Sequence, residues 1–319
     1  MLFSRIIERS FDAVLGRYDG DPAQYYFTPS DFPGLQTEPF EADGSQGKLR
    51  GYFYSYGEPA SGRLIIFDHG IGAGHRAYLK EIEYLARNGY TVCAYDHTGC
   101  VESEGRGILG FAQGINDLDR VLRKVREDAR FGNSGLRVMG HSWGGYSAMN
   151  AAAFHPEITH VVSLAGFLSA RALIEQYLPK FVMSYSSEVM ERERRHNPDY
   201  ADMDARASMK KSKAALLHLQ SGDDKKVKFE LCTPLLSEAL QGRGKTQFII
   251  LDRRNHDPQR TEEAAAAAEE MQNCLDSLRK KKKLNTKEEQ EAFKKSRDWE
   301  LITRQDPIVW DKILKFLDC

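Results

Sequence analysis

Leu136-Arg137-Val138-Met139-Gly140-His141-Ser142-Trp143-Gly144-Gly145 is the stretch that decides how this chain folds. A short apolar run ends on the pattern G-x-S-x-G, and a helical pattern begins at Gly145 and continues to about Phe154. A strand that turns sharply into a helix lifts the central serine clear of the sheet and forces an unusual backbone on it. The chain nearly touches itself at such a turn, so the residues two before and two after the serine must lack side chains. Gly140 and Gly144 meet that demand. The serine then sits at a helix N-terminus, where the dipole favours developing negative charge.

Outward from this turn, short apolar runs alternate with helical patterns. Strands are expected at Leu64–Phe67, Thr91–Tyr95, Leu136–Met139, His160–Leu164, Ala214–Leu219 and Phe248–Leu251, and helices near Ala77–Arg87 and Ile115–Glu127. Unbroken apolar strands alternating with helices indicate an α/β fold with a parallel sheet covered on both faces. Two earlier strands, Gln36–Ala42 and Leu49–Tyr56, flank a hairpin turn expected to contain Asp43-Gly44. Residues 1–167 read as the first part of one core, 168–213 as a strandless helical insertion over the strands' carboxyl ends, and 214–319 as the second part. The first thirty residues read as a helix from Ile6 to Leu15 followed by an aromatic, proline-rich strap. A charged helical segment occupies about 259–305, and Ile308–Leu317 closes the chain as a helix docked on the sheet.

Composition limits the function classes. Hydrophobic residues make up 41% of the 319, enough for a substantial core, and the net charge of −1 exerts no global pull toward nucleic acid or an acidic membrane. The five cysteines are scattered with no C-x-x-C pair, which argues for a reducing compartment and against a disulfide framework or structural zinc. No apolar run reaches the roughly 20 residues of a membrane helix. Charges at Arg5, Glu8 and Arg9 come too early for a signal peptide. A cytoplasmic protein without cofactor is expected. The basic run Arg279–Lys283 is flanked by acids and lacks interleaved aromatics, so it reads as a solvated helix end and not as a nucleic-acid patch.

A serine hydroxyl is a poor nucleophile until a base takes its proton. His256 follows the last expected strand and is the latest histidine in the chain. The loop after Ala214–Leu219 reads Ser221-Gly222-Asp223-Asp224-Lys225-Lys226-Val227 and offers two carboxylates to orient that imidazole. Asp224 is preferred, because Val227 three residues on can anchor the loop while the carboxylate points inward; Asp223 remains the alternative. Backbone N–H groups for a tetrahedral oxyanion are expected from Trp143, next to the serine, and from Ile71 in Asp68-His69-Gly70-Ile71-Gly72-Ala73-Gly74. His69 and His75 read as loop-structuring residues, since no metal-ligand spacing accompanies them. Phe181, Met183, Tyr185 and Met190 are candidate pocket residues, and Arg192–His196 reads as a solvated helix face.

The stretch from about Leu64 to Val227, with His256, resembles the α/β-hydrolase superfamily of esterases, lipases and related peptidases. His69-Gly70 looks like that family's oxyanion loop, and the order Ser142, Asp224, His256 is its triad order. Asp96-His97-Thr98-Gly99-Cys100-Val101-Glu102-Ser103-Glu104-Gly105 looks like its D-x-x-G-x-G-x-S-x-G segment, with Val101 in place of the second glycine. The resemblance implies a mostly parallel sheet of about eight strands, helices on both faces and a helical cap. It also implies a serine hydrolase acting on a small-molecule acyl substrate, an ester or a short peptide. Acyl transfer needs the same residues, and a non-catalytic binding protein on this fold would be expected to lack one of them.

Overall fold

The computed structural model describes residues 15–58, 62–131 and 135–319. All of the expected first helix but Leu15 lies outside the described residues. The strands are β1 (Gln36–Gly44), β2 (Gly47–Ser55), β3 (Leu64–Asp68), β4 (Thr91–Tyr95), β5 (Leu136–His141), β6 (Ile158–Leu164), β7 (Ala215–Ser221) and β8 (Thr246–Leu251). They form one sheet in the order β1-β2-β4-β3-β5-β6-β7-β8. Only the β1/β2 hairpin and the β2/β4 pairing are antiparallel. This is the α/β-hydrolase fold.

Burial explains the sheet. Every residue of β3, β4 and β7 is buried, and successive side chains go to opposite cores. Leu64 and Ile66 face α2 (Gln113–Glu127) and α3 (Trp143–Ala151) through Ile115, Leu118, Val121 and Leu122. Ile65 and Phe67 face α1 (Leu79–Arg87) and the last helix, α11 (Pro307–Leu317), through Ile82, Leu85, Trp310 and Ile313. Each fully buried aliphatic chain contributes roughly 1.5–3 kcal/mol by leaving water.

The hairpin turn differs from its expectation. Asp43 and Gly44 are the last rungs of β1, Gly44 pairs with Gly47, and Ser45-Gln46 makes the turn. Gly47, with φ +120°, supplies the backbone freedom that was expected from Gly44.

Between β6 and β7 the chain carries α4 (Ala170–Tyr177), α5 (Ser186–His196) and α6 (Ala205–Lys211) and no strand. After α7 (Thr233–Ala239) and β8 come α8 (Glu262–Lys280), α9 (Lys287–Lys295) and α10 (Trp299–Ile302). A small separate core of Met271, Leu275, Leu284, Phe293 and Ile302 with Ala23 ties these helices to the N-terminal strap. Arg279, from the basic run, pairs with Asp21 of that strap while staying exposed, as does the rest of the run.

Candidate active site

Ser142 occupies the turn between β5 and α3 with φ +55° and ψ −109°, outside the ordinary L-residue basins. Its N–H donates to Leu164 O at 2.7 Å, which holds the turn against β6. The flanking glycines are sterically required. A Cβ on Gly140 would stand 2.2 Å from the Gly144 carbonyl carbon, and one on Gly144 would stand 2.0 Å from Asp68 O. Both obstacles are backbone and cannot swing aside. Gly144→Ala is therefore expected to lower stability by about 3 kcal/mol or to prevent folding, read from urea unfolding.

Asp224 leaves the end of β7 and is fixed by its own loop. Its Oδ1 accepts the N–H groups of Lys226 at 2.9 Å and Val227 at 3.0 Å, the anchoring that the valine spacing anticipates. His256 Nδ1 lies 3.0 and 2.9 Å from the two Asp224 oxygens, and both side chains are buried. Asp223 turns away, accepting from the Ser221 hydroxyl and from Asn255 N–H. Of the two carboxylates, Asp224 alone meets the imidazole. The loop carrying His256 bends through two left-handed residues, Arg253 (φ +54°) and Asn255 (φ +48°).

Ser142 and His256 line one cavity of about 1020 Å³. No hydrogen bond joins them among the described residues. Such contacts are commonly long before substrate binds and close only in the reacting complex. Ile71 lines the same cavity. Trp143 opens α3, where first-turn N–H groups have no intrahelical acceptor. Its indole is turned inward, donating to Phe111 O at 2.5 Å and lying over the His97 ring.

Sequence reasoning missed the network that holds His256 from behind. Gly70 N–H donates to Tyr78 Oη at 3.1 Å, and Tyr78 O–H donates to His141 Nδ1 at 2.8 Å. His141 Nε2–H in turn donates to the backbone carbonyl of His256 at 2.7 Å. Each atom has one role, so the chain of bonds is self-consistent and links the glycine loop to the histidine loop. Burial, then the nearby His256 ring, push the His141 pKa down to about 3, which keeps it neutral as these roles demand.

His69 and His75 do structure their loops. His69 Nδ1–H donates to Gly70 O, its Nε2 accepts from His97 N–H, and His75 meets Asp96. No group of three or more His, Cys, Asp or Glu among the described residues is disposed to hold a metal. Val101 takes φ +39°, the left-handed backbone that a glycine would adopt without strain; Tyr18 and Arg17 of the strap hold it through its N–H and carbonyl. Of the four candidate pocket residues, Phe181 alone lines the cavity, and Met190 is buried in the core. Glu193, expected on a solvated face, is buried and accepts the N–H groups of Phe111 (2.8 Å) and Ala112 (3.1 Å). Tyr78, Glu193 and the cavity-lining Asp257 and Arg260 carry no motif, and Tyr78, Glu193 and Arg260 each meet a partner more than sixty positions away.

Comparison with known proteins is consistent with this geometry. Residues 59–228 match the model of a hydrolase family described as "Serine aminopeptidase, S33". A proline iminopeptidase of Saccharolobus solfataricus is 26% identical over 141 residues, 41% of this chain and 44% of that protein. A monoglyceride lipase of Saccharomyces cerevisiae is 26% identical over 156 residues, 47% of each chain. The chain thus spans less than half the length of these two relatives. An esterase of Pyrococcus furiosus superposes with a TM-score of 0.58 at 20% identity, covering 81% of this chain and 96% of that one. An acylaminoacyl peptidase of Pyrococcus horikoshii does so at 0.53 and 17%, covering 71% and 39%.

Proposed function

The chain belongs to the serine aminopeptidase S33 family of α/β-hydrolases, and from that premise we propose that it cleaves a carboxylic ester or related acyl bond through an acyl-serine intermediate at Ser142. The observation that carries this reading is the His256 imidazole, braced by both oxygens of Asp224 and facing the cavity that Ser142 enters from its strained turn.

In the first half-reaction His256 Nε2 takes the Ser142 proton as Oγ attacks the acyl carbon. The tetrahedral oxyanion forms beside the N–H groups of Ile71 and Trp143 and collapses as His256 returns the proton to the departing alcohol or amine. Water then enters and attacks the acyl carbon as His256 takes its proton; the acyl carbon–Oγ bond breaks as His256 passes that proton to Ser142 Oγ, releasing the acid and restoring the serine. Asp224 stays ionised throughout, holding the Nδ1–H tautomer and stabilising the transient imidazolium.

The match to an S33 aminopeptidase family supports a second reading, in which the bond is the amide of a short peptide. A panel of aryl esters against aminoacyl-arylamides separates the two. The test of the shared chemistry is a fluorophosphonate probe: the protein is expected to take up one equivalent at Ser142, and Ser142→Ala none. Stoichiometric labelling of Ser142→Ala would overturn the assignment.

A further inference from the structure

Two of this chain's own helical segments wall the cavity. Phe111, Phe167, Leu173, Ile174 and Leu178 line it on the side of the helices between β6 and β7. On the other side of the histidine loop Asp257 and Arg260 line it beside Ala265, Ala268, Trp299 and Ile302, a charged pair set in a largely apolar wall. Arg260 lies beyond the stretch that matches the family model.

Arg260 is held in place without being satisfied. Its guanidinium stands 3.7 Å from Glu81 and 3.5 Å from Asp257, both in ion-pair range and neither a hydrogen bond. Nη1 donates weakly to Ile302 O at 3.4 Å, and Nε is buried with no hydrogen-bond partner. Asp257 beside it is partly exposed, its carboxylate accepting no hydrogen bond among the described residues and lying 4.0 Å from His141 Nε2. Buried polar groups are ordinarily satisfied, so the orphaned Arg260 donor calls for a partner, and the neighbouring carboxylate on the same cavity is free to accept from it.

Charge narrows that partner. Arg260 and Lys226 are cationic, Glu81 and Asp257 anionic, and His141 neutral, so the region is balanced before anything binds. A charged ligand would leave one charge uncompensated in a buried place. A neutral group with one donor and one acceptor leaves none.

We propose that Arg260 and Asp257 form a substrate subsite for a neutral hydrogen-bonding group, a hydroxyl or an amide, on the side of the substrate away from the helices between β6 and β7. The group's oxygen accepts from the Arg260 guanidinium and its O–H or N–H donates to Asp257. Asp257 directly follows His256, so this polar group is gripped within one residue of the base. The inference rests on the hydrolase reading above and names the kind of substrate which that site takes.

Two near-isosteric pairs test it: propyl against 2-hydroxyethyl butanoate, with a hydroxyl on the alcohol side, and ethyl pentanoate against ethyl N-acetylglycinate, with an amide on the acyl side. The protein is expected to favour the polar member of at least one pair by about tenfold or more in kcat/KM, since a site built to hydrogen-bond a group rejects the analogue that lacks it. Arg260→Met and Asp257→Asn should each erase most of that preference. Arg260→Lys keeps the charge between Glu81 and Asp257 but loses the fork, so it serves if the methionine variant fails to fold. It too should lower the preference. The readout is the ratio within a pair, which a general loss of activity does not move. No preference in the unaltered protein, or one that survives Arg260→Lys and Asp257→Asn, overturns the subsite. Fluorophosphonate labelling is scored in parallel: an unlabelled protein counts against the hydrolase reading, and a labelled one without preference counts against the subsite alone.

Discussion

Replacing Ser142 by alanine should lower kcat for ester hydrolysis by about four to six orders of magnitude and leave the fold as stable as before. The two halves of that expectation have separate grounds. Oγ is the atom that bonds to the acyl carbon, so its removal ends covalent catalysis and leaves only binding and the oxyanion donors. Yet Oγ makes no hydrogen bond among the described residues, and the turn is fixed by backbone, through Ser142 N–H on Leu164 O and the close passage at Gly140 and Gly144. Alanine bears the same left-handed strain as serine and removes no contact the turn uses. His256→Ala should fall about as far, and the double variant no further, because the two act as one unit. Asp224→Asn should lose about 10⁴-fold in kcat. Its Oδ1 can still accept from Lys226 and Val227, so the loop survives while the imidazole loses its anionic partner. Kinetics with a chromogenic ester beside urea unfolding curves check all four variants. A Ser142→Ala protein that keeps more than about one per cent of kcat would remove the serine from the mechanism.

What could be read from the chain beforehand was what local constraints enforce. The elbow is legible because the turn brings its own backbone against Gly140 and the adjoining strand β3 against Gly144, so both positions admit only glycine. The choice of Asp224 over Asp223 is legible for the same reason, since the Val227 N–H that anchors the carboxylate is three residues away. The burial of the sheet's central strands follows from apolar runs that could be covered only on both faces. Glu193 shows where such reasoning stops. It sits among Arg192, Arg194 and Arg195, a pattern indistinguishable from a solvated face, yet its acceptors serve a loop 81 and 82 positions earlier in the chain. Tyr78 and His141 meet across 63 positions and Arg260 meets Glu81 of α1 from still farther along the chain, and no spacing rule spans such distances. Even the hairpin turn, a local feature, moved by two residues, because two glycines near it could each supply the unusual backbone and pairing in the strand chose Gly47.

Lowering the pH from 7 to 5 should remove about 5 kcal/mol of folding stability, comparable with the whole stability of an ordinary domain. Three histidines are buried and kept neutral. Burial, then His97, push His69 down to about 3; burial, then His256, push His141 down to about 3; and burial pushes His218 down to about 4. In the unfolded chain each titrates near 6.5. Below that value the unfolded state binds protons that the folded state refuses, so stability is present above about pH 6.5 and is lost as the pH falls toward the folded values. By pH 5 the difference is about 1.5 pH units per residue, or about 2 kcal/mol each. Burial opposes charge on His97, but Asp68 and Asp117 hold it up to about 9, so its contribution falls progressively from pH 6.5 to 9, and between pH 7 and 5 it offsets the loss by about 1 kcal/mol. Burial raises the Asp68 and Glu193 carboxyls, which acts in the same offsetting direction. Burial works to raise Asp96, Asp119 and Asp257. Contacts with His75 on Asp96, hydrogen bonds from His155, Arg123 and Tyr200 on Asp119 and the Arg260 charge beside Asp257 outweigh it and bring all three down to about 2, so they begin to lose their contribution only below about 4. His218 offers a clean check, since its nitrogens meet Ser163 and Thr233 away from the reacting groups. His218→Gln should remove about a third of the pH-dependent loss, measured as the difference in unfolding free energy between pH 7 and pH 5. A His218→Gln protein with the full acid sensitivity would show that this histidine does not carry the proton linkage assigned to it.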